Sequence, residues 1–255
     1  PFSYDLVSHV WVGRRTLTAT FTGVPAHASM QPYMGRNALD AATLAYQACG
    51  LLRQQMPPSD RLHAVLSDGG ARASIIPETA TLQLYVRSLY TETLMDLSQR
   101  VEDILQGAAL MTGTAVDAQW DEHPMSLPVR NNATLASRWG ATQASRGRDV
   151  LPAGTLPDSQ AASTDFGNVS HLVPGIHPLV KIAPEGTALH TTDFAAAAIS
   201  DQAFEGAFDA AVGLAQTIAD ILNDPQLLTD AKKEFEAAGG AISVEELLAG
   251  AAEQP

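Results

Sequence analysis

His27 stands in Gly23-Val-Pro-Ala-His-Ala-Ser29, where small neighbours leave its imidazole uncovered. An imidazole presented in this way can give or take a proton, or donate one hydrogen bond. On spacing alone, a loop histidine without a role is the plainer reading. Arg87 closes the run Ala73-Ser-Ile-Ile-Pro-Glu-Thr-Ala-Thr-Leu-Gln-Leu-Tyr-Val-Arg87. Its guanidinium is a planar fork matched to a carboxylate, and a surface arginine on a solvated sheet face is the alternative. His190 lies in Gly186-Thr-Ala-Leu-His-Thr-Thr-Asp-Phe194, ahead of an alanine run. A hydrolytic metal site needs several His, Asp, Glu or Cys ligands around an open position. The chain has no HExxH and no His-x-Asp or His-x-His pair. Asp121-Glu122-His123, the densest cluster, precedes Pro124 and reads as a solvated turn. His9, His63, His171 and His177 read as strand or loop residues.

The elements that must position these groups are legible from periodicity. Thr16-Leu-Thr-Ala-Thr-Phe-Thr22 alternates as a half-buried strand and runs into the His27 loop. A helix over 36–55 follows, striped by Ala41, Leu44, Ala45, Ala48, Leu51 and Leu52 and ended by Pro57-Pro58. Leu62–Leu66 and Thr79–Arg87 are strands, 91–111 is a helix stopped by Gly113, and Thr114–Trp120 is a fourth strand. This βαββαβ order predicts a ferredoxin-like sandwich over residues 15–121. Residues 1–14 read as a lead-in. From 122 to 255 the pattern is mostly helical, with one short strand expected at Ile176–Ala183. The helix over 201–222 carries the strongest stripe, Phe204 to Leu222, and no sheet is predicted to cover it, so part of it is expected to stay exposed. Ser243-Val-Glu-Glu246 is a capping box.

Composition narrows the function. Fifteen basic residues against 28 acidic ones leave a net charge of −13, which argues against a nucleic-acid partner. A single cysteine, Cys49, excludes a disulfide framework within the chain. No apolar run is long enough to span a membrane, and no signal peptide is evident. A cytoplasmic location is expected. The chain opens on Pro1, which is expected of a piece of something longer.

The run Gly-Val-Pro-Ala-His-Ala-Ser-Met-Gln-Pro-Tyr-Met-Gly-Arg-Asn-Ala-Leu-Asp-Ala that begins at Gly23 resembles the lid signature of a zinc amidohydrolase and metallopeptidase family. That family includes aminoacylase, carboxypeptidase G and p-aminobenzoyl-glutamate hydrolase. The Ala73–Arg87 run, Ser163-Thr-Asp-Phe-Gly-Asn-Val-Ser170 with Pro174-Gly-Ile-His-Pro178, and the His190 segment are similar to the aminoacylase-1-like dipeptidase branch. The resemblance covers about residues 13–237, with gaps at 147–160.

It implies a lid and dimerisation domain followed by the C-terminal part of an α/β catalytic domain, acting in amide hydrolysis on an N-acyl amino acid, dipeptide or aminobenzoyl-glutamate-like substrate. By resemblance His27 is the catalytic oxyanion donor, Arg87 binds the substrate carboxylate, and His190 is a metal ligand. Ser74 stands where the family has a substrate-binding Asn, and a hydroxyl offers one donor where an amide offers two. The implied cofactor is Zn2+, two ions in the intact enzyme, with Mn2+ or Co2+ as alternatives. The implied partner is a second copy, joined through the lid. The family's other metal ligands and its general-base Glu precede the lid and are not in this chain, so the chain alone is expected to be inactive. A reading of another class is a non-catalytic dimerisation or small-molecule-binding protein. An upstream reading frame carrying His-x-Asp and Glu-Glu motifs would separate the two.

Overall fold

Threonines and β-branched or aromatic residues alternating with polar ones give long strands; alanine- and leucine-rich stretches between them give helices. The computed structural model describes residues 4–252. In chain order the elements are β1 (Asp5–Leu6), β2 (Gly13–Thr22), β3 (Ala26–His27), α1 (Ala38–Leu52), β4 (Arg61–Asp68), β5 (Ile75–Ile76), β6 (Thr79–Ser88) and α2 (Thr91–Thr112). They continue with β7 (Ala115–Trp120), α3 (Ala133–Ser145), β8 (Val150–Leu151), α4 (Phe166–Ser170), α5 (Thr192–Ala197), α6 (Asp201–Asn223), α7 (Pro225–Ala237) and α8 (Val244–Ala252). The chain is mixed α/β and divides into two compact units.

One unit, Val12–Ser126, holds a four-stranded antiparallel sheet in the order β4-β6-β2-β7. Leu17, Ala19 and Phe21 of β2 lie opposite Leu84, Leu82 and Ala80 of β6, and all six are buried. The buried stripes of α1 (Ala41, Ala42, Ala45, Cys49) and α2 (Leu94, Leu97, Val101, Leu105) cover this face. Thr16, Thr18, Gln83 and Tyr85 occupy the other face, half-buried or exposed. The strand β2 begins at Gly13, earlier than the alternation from Thr16 predicts. Arg15 takes an inward position there by pairing with Asp121 at 2.7 Å and lying over the Trp120 ring. Asp121 also accepts the Thr16 N–H, so this part of the acidic turn is structural.

The other unit comprises the residues up to Trp11 and those from Leu127 onward. Strands β1 and β8 pair in parallel, and Leu6 bridges to Leu179. The strand expected at Ile176–Ala183 is absent. The Leu179 N–H reaches Leu6, while the His177 N–H goes to Asn131 Oδ1 and the Lys181 N–H to Asp5 Oδ1. Asp5 in turn holds Arg148 at 2.8 Å, and Arg148 reaches Asp209 of α6 at 2.9 Å. The Arg148 guanidinium holds the Asp209 carboxyl below the usual carboxylate range. Helix α6 buries Ala203, Gly206, Gly213 and Thr217, and Gly213 lies so close to Trp139 and Gln143 of α3 that a Cβ there would collide with both. Its apolar stripe faces solvent, with Phe204 75% and Leu222 79% exposed. The capping box forms as expected, Ser243 N–H to Glu246 and Glu246 N–H to Ser243 Oγ.

Cys49 is fully buried in α1, and burial pushes its thiol up to about 11. At pH 8 it is therefore protonated and covered. Native protein should resist alkylation at pH 8 and react fully once unfolded in urea, measured by intact mass. Rapid native labelling would contradict this packing.

Candidate functional site

After β2 the chain must turn sharply to present His27. Gly23 permits it: a Cβ at this position would collide with the Arg36 carbonyl. Val24 and Arg36 then exchange two backbone hydrogen bonds of 2.9 Å, closing the loop at its base. Strand β3 pairs antiparallel with β5, setting His27 opposite Ile75, and the Ala28 N–H donates to the Ser74 carbonyl at 3.0 Å. Thus His27 and Ser74 are brought together by main-chain pairing.

The imidazole is exposed but not loose. Its Nδ1 accepts from the backbone N–H of Ser29 at 3.3 Å and of Met30 at 3.2 Å, with the Ser29 hydroxyl at 3.2 Å. Backbone amides can only donate, so Nδ1 presents its lone pair and the neutral ring carries its proton on Nε2. The result is a fixed N–H donor on the outer edge of the ring. Beside it, Ala28, Gly70, Arg72, Ala73 and Ile76 line part of a depression of about 400 Å³. The loop tip also exposes Met30 and Tyr33, 75% and 73% accessible.

Arg87 is not part of this assembly. It lies toward the far end of β6, eight steps beyond Thr79, or roughly 26 Å at 3.3 Å per residue. Its guanidinium stacks on Tyr85 at 4.5 Å, and its Nε is buried without a hydrogen-bond partner. Two neighbours that the predicted strand boundaries left out flank it. Arg14 of β2 and Arg61 of β4 are its direct cross-strand partners.

His190 lies in the other unit, exposed in the turn before α5, with φ of 60°. Thr191 caps the helix that follows. Among the described residues no three His, Cys, Asp or Glu side chains converge as a metal site. One imidazole does not hold a catalytic ion against water, so the donors of this chain do not by themselves fit a metal centre, and no chemical step is derived through one. His9, Trp11, His177 and Phe166 form a chain of edge-on ring contacts. Burial lowers the pKa values of both histidines there.

A family profile described as a peptidase dimerisation domain matches residues 12–111. The mouse (Mus musculus) Xaa-Arg dipeptidase is 37% identical over 224 residues, covering 88% of this chain and 52% of that protein. One of the subunits of p-aminobenzoyl-glutamate hydrolase from Escherichia coli K12 is 25% identical over 267 residues, covering 85% and 56%. The chain belongs to the M20 amidohydrolase/peptidase family. It spans about half the length of the curated M20 relatives it matches. The crystal structure of the aminopeptidase PepT of Bacillus cereus shares the fold, with a TM-score of 0.57 at 17% identity over 86% of this chain and 54% of that one.

The His27 tautomer is directly measurable in this M20 chain. In long-range nitrogen–proton correlation spectra the neutral ring should show a lone-pair Nδ1 and a protonated Nε2. Ser29→Pro, which deletes one of the backbone donors, should give a tautomer mixture. A protonated Nδ1 in the unaltered neutral ring would contradict the geometry.

Proposed function

We propose that this chain is the lid and C-terminal catalytic portion of an M20 hydrolase that cleaves an amide bond in an N-acyl amino acid, dipeptide or aminobenzoyl-glutamate-like substrate. The observation that carries the reading is His27: a donor whose free edge is set by main-chain hydrogen bonds suits a developing oxyanion, since a preorganised donor costs no reorganisation when charge appears. We read Val12–Ser126 as a ferredoxin-like lid, which its strand order β4-β6-β2-β7 supports. Metal dependence is typical of M20 members. We assign His190 as one ligand of a two-zinc centre whose remaining ligands lie outside this chain. Ser74, beside His27, is assigned a substrate contact made by hydroxyl. Among the described residues no helix is long and apolar enough to cross a membrane, and we read the enzyme as cytoplasmic. The similar proteins act, by name, on Xaa-Arg dipeptides and on an acyl-glutamate, so likeness alone leaves the leaving residue open.

Arg87 is assigned to the substrate's free carboxylate. In the assembled enzyme Arg87→Ala should cost about 2–4 kcal/mol of transition-state binding for a substrate with that carboxylate, read as the ratio of kcat/KM values. The amidated analogue should lose little. Equal losses for both substrates would make Arg87 structural.

The roughly 26 Å from Thr79 to Arg87 along β6 bears on which protomer supplies each group. One small substrate does not span the distance from Arg87 to the His27 loop of the same lid. We therefore assign His27 to the active site of the partner in a lid-mediated homodimer, and the exposed Met30 and Tyr33 at the loop tip favour such insertion. Complementation tests this. Homodimers of His27→Ala and of His190→Ala should each be nearly inactive. In the mixed dimer one site regains both groups and the other has neither, so activity should return to at most about half of wild type. Mixed dimers that form without recovering activity would overturn the trans assignment.

A further inference from the structure

Arg14, Arg87 and Arg61 form one row across three adjacent strands on the sheet face turned away from α1 and α2. Residues directly opposite on neighbouring strands project to the same side, with strands about 4.8 Å apart. Two like-charged pairs in succession, directly opposite one another, are unfavourable. No ion pair offsets them: among the described residues none of the three has a carboxylate within 4.0 Å. The nearest acidic side chain in sequence, Asp60, instead takes the Ser88 hydroxyl at 2.8 Å.

The guanidiniums are nonetheless held in place. Arg87 and Arg14 share the Tyr85 ring, at 4.5 and 5.9 Å from its centroid. Arg61 is tied through Nη1 to the carbonyls of Pro58 and Asp60. The buried Nε of Arg87 has no partner. Ordered cations and a buried donor without an acceptor, in a chain whose net charge is −13 overall, are the marks of a site built for an anion.

We propose that this row binds a dicarboxylate, so that the amino acid released by the enzyme is acidic, glutamate or aspartate. The proposal rests on the assignment of Arg87 to the substrate carboxylate. A single carboxylate on Arg87 would leave two flanking cations unpaired. A second carboxylate, joined to the first by a short aliphatic bridge, reaches one strand spacing sideways to Arg14 or Arg61. A substrate ending in arginine or lysine would bring a fourth cation into the row and be repelled.

The test uses the purified 255-residue chain and no catalysis. N-acetyl-glutamate, N-acetyl-glutamine and N-acetyl-arginine are titrated by calorimetry at low salt. N-acetyl-glutamate should bind at least about tenfold more tightly than N-acetyl-glutamine, and N-acetyl-arginine weakest. Arg14→Gln or Arg61→Gln should bring the glutamate affinity down to the glutamine value and leave the latter nearly unchanged. Arg87→Gln should weaken both. Arg14→Lys and Arg61→Lys, which keep the charge and lose the fork, should fall between, with circular dichroism confirming that each variant folds. Equal binding of glutamate and glutamine derivatives, a preference that survives both Gln variants, tightest binding of N-acetyl-arginine, or no binding of any probe would overturn the proposal. So would sulfate matching N-acetyl-glutamate, since the row would then be a general anion patch. Row-dependent glutamate binding together with no amide hydrolysis by the assembled, metal-loaded enzyme would instead sink the hydrolase reading and leave the row intact.

Discussion

The register of β2 against β6 is the constraint on which the rest depends. It sets Leu17, Ala19 and Phe21 against Leu84, Leu82 and Ala80, and these pairs are the floor of the core under α1 and α2. A slip of one residue would move the whole apolar set to the solvent face and the threonines into the core. The same register leaves Arg14 opposite Arg87 and, through the β4 pairing, Arg61 on the other side. Packing on one face thus dictates charge placement on the other. The like-charge row persists because the apolar face holds the strands in this alignment.

The sheet also separates functions by its length. At one end, the turn at Gly23 and the Val24–Arg36 pair launch the His27 loop; at the other sits the arginine row. A rigid antiparallel sheet does not fold its ends together, so this unit presents two different groups at two different places. Under the proposed trans assignment this separation becomes useful: each active site would draw its carboxylate anchor and its oxyanion donor from different copies, and neither site would be complete without the dimer.

Much of this was legible in the sequence, and the failures have physical causes. Helices α1, α2 and α6 and strand β6 follow from simple periodicity, and the capping box at Ser243 from side-chain chemistry. The beginning of β2 was obscured because Arg15 sits inward, where alternation calls for an apolar residue. Its charge is met by Asp121 and its plane by Trp120, and both contacts depend on strand pairing at long range. Ile176–Ala183 reads as a strand because its composition suits one, yet two of its amides are taken by side chains of Asp5 and Asn131 and only Leu179 pairs with backbone. His27, Ser74, Arg87 and His190 are singled out by family resemblance alone. The adjacency of Ser74 to His27, and the flanking of Arg87 by Arg14 and Arg61, are properties of register and are invisible to local pattern.

Electrostatics ties the row to the rest of the molecule. A chain with a net charge of −13 repels anionic ligands at long range, more strongly as ionic strength falls. An anion that nevertheless binds must find local attraction that exceeds this background. A lone surface arginine does not supply it, because solvent screens a single exposed pair to about 1 kcal/mol or less. Three guanidiniums aligned on neighbouring strands, two of them stacked on one aromatic ring, concentrate positive potential where water is partly excluded. The acidic remainder of the surface then acts as a filter. Weakly held anions are turned away, and the ligand retained is the one with charges spaced to meet more than one arginine at once.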